Sequence, residues 1–158
     1  MKIGIIIHSQ SGTTAKVART LGTVLSKKGH DVDTTLLRTA GKVAPRSSSF
    51  EIRNAPAVDE FDVLILAGPV WAFGISPVIF KFVKQLGRLS GKKVLCFVTK
   101  GLPFSWTGGK RAMHALEEEL SLSDAAMLPG EIIHAVKVRD EATLRPFIDR
   151  MVSTVCAS

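Results

Sequence analysis

Apolar residues along this chain fall into two recurring patterns. Solid runs cover 2–8, 61–67 and 92–99, and stripes at helical spacing fall at Val17, Leu21, Val24 and Leu25, at Ile79, Phe82, Val83 and Leu86, and at Ala112, Met113, Leu116 and Leu120. A run without alternation predicts a strand covered on both faces, and a stripe predicts an amphipathic helix. The two alternate along the chain. A more polar run at 31–37 predicts an edge strand, and a fifth strand is expected within 125–138, interrupted by Pro129 and Gly130.

Helix boundaries are marked by their own chemistry. Lys27 and Lys28 suit the negative end of the first helix, and Gly29 stops it. Ser76 and Pro77 open the second as N-cap and first-turn residue, and Gly87 closes it. Asp140 is placed to cap a final helix, with Pro146 either kinking it or moving its start to about Thr143. Residues 38–60 carry no such pattern: Pro45, the serines 47–49 and Pro56 break any helix, and only 50–52 hints at an extended piece. That segment is either a mobile loop or an embellishment on the fold.

Strand–helix alternation predicts an α/β protein with a parallel sheet and helices on both faces. In such sheets ligands sit beyond the C-terminal ends of the strands, which directs attention to loops 9–14, 68–75 and 99–109. The 158 residues suggest one domain over 1–158, since no repeat or linker interrupts them.

Composition changes this picture little, and charge somewhat more. The N-terminus enters a strand without a signal-peptide pattern and no run approaches membrane length, so a cytoplasmic protein without a membrane partner is expected. Cys96 lies in an apolar run and Cys156 near the C-terminus, without the spacing of a redox or metal motif. The net charge of +7 is concentrated in the first third, at Lys16, Arg19, Lys27, Lys28, Arg38, Lys42, Arg46 and Arg53. No aromatic residues interleave with them as in a nucleic-acid reader, so a solvated basic surface is expected, compatible with an acidic partner or substrate.

The loop after the first strand, Ser9-Gln10-Ser11-Gly12-Thr13-Thr14, concentrates the chemistry. A turn entering a helix aims unpaired N–H groups and the positive dipole end at one spot. Gly12 admits close approach, and the hydroxyls of Ser9, Ser11, Thr13 and Thr14 can donate. A phosphate monoester suits this loop; a hydroxyl-capped helix of no further function is the plain alternative. Neither a G-x-x-x-x-G-K-[ST] loop nor a G-x-G-x-x-G fingerprint is present, which argues against a P-loop NTPase and a dinucleotide Rossmann site. His8 and Ser9 stand where a receiver domain would need carboxylates. Charge-assisted hydrogen bonds contribute roughly 1.5–3 kcal/mol each, so several would hold a phosphate without Lys16, which reads as surface.

The second loop, Pro69-Val70-Trp71-Ala72-Phe73-Gly74, offers an aromatic surface. The third adds Thr99, Lys100 and Gly101, with Phe104 as a second wall. Together they imply a phosphate joined to an extended planar ring. His8, at the strand end, is expected to be packed or hydrogen-bonded rather than catalytic.

Across the whole chain this arrangement resembles the flavodoxin family. Ser9-Gln10-Ser11-Gly12-Thr13-Thr14 fits that family's [ST]-x-[ST]-G-x-[ST] phosphate loop, Gly68-Pro69-Val70-Trp71 is similar to its flavin-packing segment, and Phe97-Val98-Thr99-Lys100-Gly101 is similar to the turn closing over the pyrimidine side. The resemblance implies a three-layer fold, a five-stranded sheet in order 2-1-3-4-5, and non-covalent FMN. Two departures stand out: the chain is basic where the family's carriers are usually acidic, and it has no tyrosine. Trp71 is therefore the expected stacking residue, with Phe73 or Phe104 as substitutes.

The resemblance implies an electron-transfer flavoprotein exchanging electrons with redox partner proteins. An FMN-dependent oxidoreductase using NAD(P)H and a small quinone-type acceptor stays open beside it. So does a flavin-free interaction domain.

Overall fold

The computed structural model describes residues 1–45, 47, 49–102 and 107–158. In chain order the elements are β1 (Lys2–Ile7), α1 (Thr13–Lys27), β2 (Asp31–Leu36), β3 (Val63–Trp71), β4 (Gly74–Ile75), α2 (Pro77–Gln85), β5 (Lys93–Lys100), α3 (Gly109–Ser121), β6 (Ala126–Met127), β7 (Glu131–His134), α4 (Ala135–Val138) and α5 (Glu141–Ala157).

Side chains alternate across each central strand, and both faces are covered, which is why the runs look uniformly apolar. Ile3, Ile5 and Ile7 pack with Val63, Ile65, Leu95 and Phe97 against α1 and α5. Ile6, Leu64, Leu66, Val94, Cys96 and Val98 face the opposite way, onto α2 and α3. The result is three layers. Among the described residues no helix is long and apolar enough to cross a membrane.

Parallel pairing runs β2-β1-β3-β5, and the far edge of β5 is shared by β6 and β7. With the short antiparallel β4 set aside and β6 and β7 read as one interrupted strand, this is the expected 2-1-3-4-5 order. At the interruption the chain passes close to β5: a Cβ on Gly130 would stand 2.2 Å from the Cys96 carbonyl oxygen. Only glycine lets the chain pass β5 that closely.

The third strand and the second helix end elsewhere than expected. The third strand does not end at Ala67; it continues to Trp71 and turns back as a hairpin, Val70 opposite Ile75 and Trp71 opposite Gly74. Pro69, Val70 and Trp71 are thus strand residues rather than loop residues. The second helix stops at Gln85, with Leu86 already extended. The last helix begins at Glu141, capped by the Asp140 carboxylate accepting from the Ala142 N–H, so Pro146 lies inside it.

The described residues of 38–60 form an embellishment rather than a bare loop. Thr39 bridges Ile52 in antiparallel fashion, and Asn54 ties the ends, accepting from the Arg38 N–H and donating to the Leu36 carbonyl. Phe50 is buried and joins the core beneath α2.

Candidate functional site

Loop 9–14 ends in Gly12, whose φ of +91° makes it a left-handed N-cap for α1 with no side-chain cap. Ser9 Oγ accepts from the Ala15 N–H at 3.2 Å, and the Lys16 N–H reaches the Gly12 carbonyl at 2.9 Å. The N–H groups of Gly12, Thr13 and Thr14 find no acceptor among the described residues. A Cβ at Gly12 would meet nothing within 4 Å, so the space before these donors is open. Unpaired donors, open space and the positive helix end together fit an anion.

The hydroxyls divide. Ser11 and Thr13 stand exposed or half-buried with their oxygens 3.3 Å apart. Thr14 is buried, and its hydroxyl pairs with that of Thr99 at 2.7 Å, tying the first loop to β5. Gln10 is exposed. The cleft at the loop, about 330 Å³, is also lined by Lys16, Arg19 and Arg139. Lys16 is a surface residue as expected, but it flanks the loop. Arg19 and Arg139 join it there, a cationic rim that residue spacing did not show.

The second loop is the β3–β4 hairpin. Its two tip residues, Ala72 and Phe73, have φ of 47° and 65°. Left-handed backbone in two consecutive non-glycine residues costs roughly 1–2 kcal/mol each, strain of the kind that persists where neighbours hold it in place. The neighbour here is Gly108. A Cβ on that residue would stand 2.3 Å from the Phe73 carbonyl carbon and oxygen. The hairpin therefore rests directly on the backbone that starts α3.

Trp71 lies on this hairpin with His8 against it edge-on, ring centroids 5.0 Å apart and planes at 82°. His8 Nδ1 is 2.6 Å from Ser76 Oγ, which already accepts from the Val78 N–H as the cap of α2. The Ser76 hydroxyl can donate to Nδ1 or accept from it, according to the tautomer of the ring. Burial pushes the His8 pKa down from about 6.5 to about 4. Ser76 is fully buried, so this pair positions Trp71 and α2 and is no hydrolytic dyad.

The third loop leaves β5 beside the second, since Pro69 and Thr99 are register partners. Lys100 is half-buried, Gly101 is exposed, and the Gly101 carbonyl accepts from His134 Nε2 at 2.9 Å. Phe104 lies outside the described residues. The structure thus brings Thr14, Thr99, Pro69, Trp71 and His8 to one end of the sheet. His8 is packed and hydrogen-bonded as expected, whereas Ser76 as its partner and Gly108 as the seat of the hairpin were missed by sequence reasoning. Ser76 read only as a helix cap, and its contact with His8 spans 68 positions.

Among the described residues no group of His, Cys, Asp and Glu is arranged to hold a metal ion. Cys96 is buried, which pushes its thiol far up and leaves it unreactive at neutral pH.

No protein-family model matches this chain, and no curated protein matches it. Solved structures do. Flavodoxin 2 from Bacillus cereus superposes over 100% of both chains with a TM-score of 0.75 at 19% identity. The flavodoxin of Streptococcus pneumonia TIGR4 covers 99% of each chain with a TM-score of 0.71 at 16% identity. The fold is that of the flavodoxins. It also matches one part of the rubredoxin oxygen:oxidoreductase of Desulfovibrio gigas, covering 97% of this chain and 34% of that one, at 19% identity and a TM-score of 0.68. On this flavodoxin fold the chain places its uncapped helix start, its aromatic hairpin and the end of β5 side by side.

Proposed function

We propose that this chain binds FMN at the end of the sheet and works as an electron-transfer flavoprotein. The observation that carries the reading is the open start of α1, where Gly12, Thr13 and Thr14 present three unpaired N–H groups under a left-handed glycine. Those amides and the Ser11 and Thr13 hydroxyls would hold the phosphate, with Lys16, Arg19 and Arg139 adding positive potential. Trp71, Phe73 and the end of β5 would hold the ring. Bound there, the flavin supplies one- and two-electron redox chemistry.

The chain's own residues do the rest. His8, neutral and bonded to Ser76, braces Trp71 from its edge without adding a charge. The Thr14–Thr99 bond couples the phosphate loop to the strand that leads into the third loop. Electrons would pass to and from redox partner proteins; the basic balance of +7 favours partners with acidic faces.

The test is an absorption spectrum of the purified protein before and after adding FMN, followed by NAD(P)H consumption with a quinone and no added reductase. A bound flavin spectrum without turnover supports the carrier. Turnover with NAD(P)H alone selects the oxidoreductase reading. A protein that stays colourless in added FMN overturns both.

A further inference from the structure

A cavity of about 630 Å³ does not touch loop 9–14 or the end of β5. It opens on the flank of the β3–β4 hairpin, between the hairpin, the outer face of α2, the excursion around Phe50, and Arg111 of α3. Its volume falls in the range of small-molecule sites. Its chemistry is of two kinds. Phe50, Trp71, Phe73 and Phe80 supply flat apolar walls, and Lys81, Lys84 and Arg111 supply charge, with no carboxylate in the lining.

The cations are not equivalent. The Lys81 ammonium sits 4.8 Å from the Phe50 ring centre, donates to the Phe50 carbonyl and lies 3.8 Å from Glu51. It serves to hold the excursion against α2. The Lys84 ammonium lies 5.3 Å from the Phe80 ring centre and has no carboxylate partner among the described residues, and neither has Arg111. Both are exposed, and both reach the cavity. The walls are built as well as present: the left-handed pair Ala72–Phe73, resting on Gly108, keeps Phe73 at 44% exposure beside the cavity rather than folded into the core.

From these features we infer that the flank of the hairpin is a second binding site, for a small planar aromatic anion whose ring packs among the phenylalanines and whose acid group meets Lys84 and Arg111. Aromatic walls favour a flat apolar body, and cation-bearing edges without acids select its charge. None of its lining belongs to the phosphate loop, and the residues it shares with the proposed ring site are Trp71 and Phe73, so Lys84, Arg111, Phe50 and Phe80 are what set it apart.

Isothermal titration of the full chain with 2-naphthoate tests this, alongside 2-naphthalenemethanol, the same ring without the charge. We expect saturable 1:1 binding of the acid, about ten-fold weaker binding of the alcohol, and a further loss of about ten-fold in both Lys84→Glu and Arg111→Glu. Both substitutions are at exposed positions, and an unchanged thermal midpoint shows that each variant remains folded. Lys84→Glu leaves FMN binding unchanged, since Lys84 lies on the flank and not in the proposed flavin site. Absence of saturable binding, equal affinity for acid and alcohol, or undiminished binding in both variants overturns the site. Weakened FMN binding in Lys84→Glu overturns its separateness, while a chain that binds 2-naphthoate and ignores FMN keeps this site and loses the flavin.

Discussion

Gly12 and Gly108 make a matched pair on which the packing account can be tested. Each is the N-cap of a helix, α1 and α3, with φ of +91° and +99° and no side-chain cap bond. Their surroundings differ entirely: a Cβ at Gly12 meets open space, whereas one at Gly108 lands 2.3 Å from the Phe73 backbone. Left-handed backbone costs an alanine roughly 1–2 kcal/mol, partly offset by the smaller entropy of the unfolded chain. Gly12→Ala should therefore lose about 1 kcal/mol. Gly108→Ala carries that same loss and must also push the hairpin back by roughly 1 Å to restore an ordinary carbon contact. Overpacking of that kind adds about 1–3 kcal/mol, so the total loss should be about 3 kcal/mol. Guanidinium unfolding of the flavin-free protein, with m-values compared, measures both. Equal losses in the two variants would refute the claim that the hairpin rests on the start of α3.

Three further outcomes follow from the site. The folded protein holds His8 neutral down to about pH 4 while the unfolded chain protonates it near 6.5, so stability falls as pH drops between these values. After discounting for the ring's partial exposure this amounts to about 2 kcal/mol, measured by chemical denaturation at several pH values, and His8→Gln should flatten that slope. Thr99→Val leaves the buried Thr14 hydroxyl without its partner and should cost about 1–3 kcal/mol, whereas the double valine variant recovers part of that loss in a double-mutant cycle. Trp71→Ala should weaken FMN binding by about 100-fold in a fluorescence titration, as expected from losing much of an aromatic contact of roughly 150–250 Å².

Much of the fold was legible in the chain, and the exceptions have physical causes. Strands buried on both faces leave solid runs such as Ile3–Ile7 and Val63–Ala67, and Ser76, Pro77 and Asp140 announce helix starts by chemistry that acts locally. The hairpin at 71–75 was hidden because its turn is made by Ala72 and Phe73, where a tight turn of that hand normally announces itself with glycine or asparagine. The described residues of 38–60 were illegible because contacts such as one bridge, the side chain of Asn54 and the burial of Phe50 order them, and none of these is periodic. At the site, the open loop before α1 was readable as a candidate anion site because its six residues are adjacent. The His8–Ser76–Trp71 arrangement and the flank cavity were not, because each is assembled from segments far apart in the chain.

Calorimetric titration of the purified chain with FMN and with riboflavin isolates the phosphate from the ring and so bears most directly on the open start of α1. Three charge-assisted bonds at roughly 1.5–3 kcal/mol each predict FMN binding at least about 100-fold tighter than riboflavin. Equal affinity for the two, or no binding of either, would contradict the account.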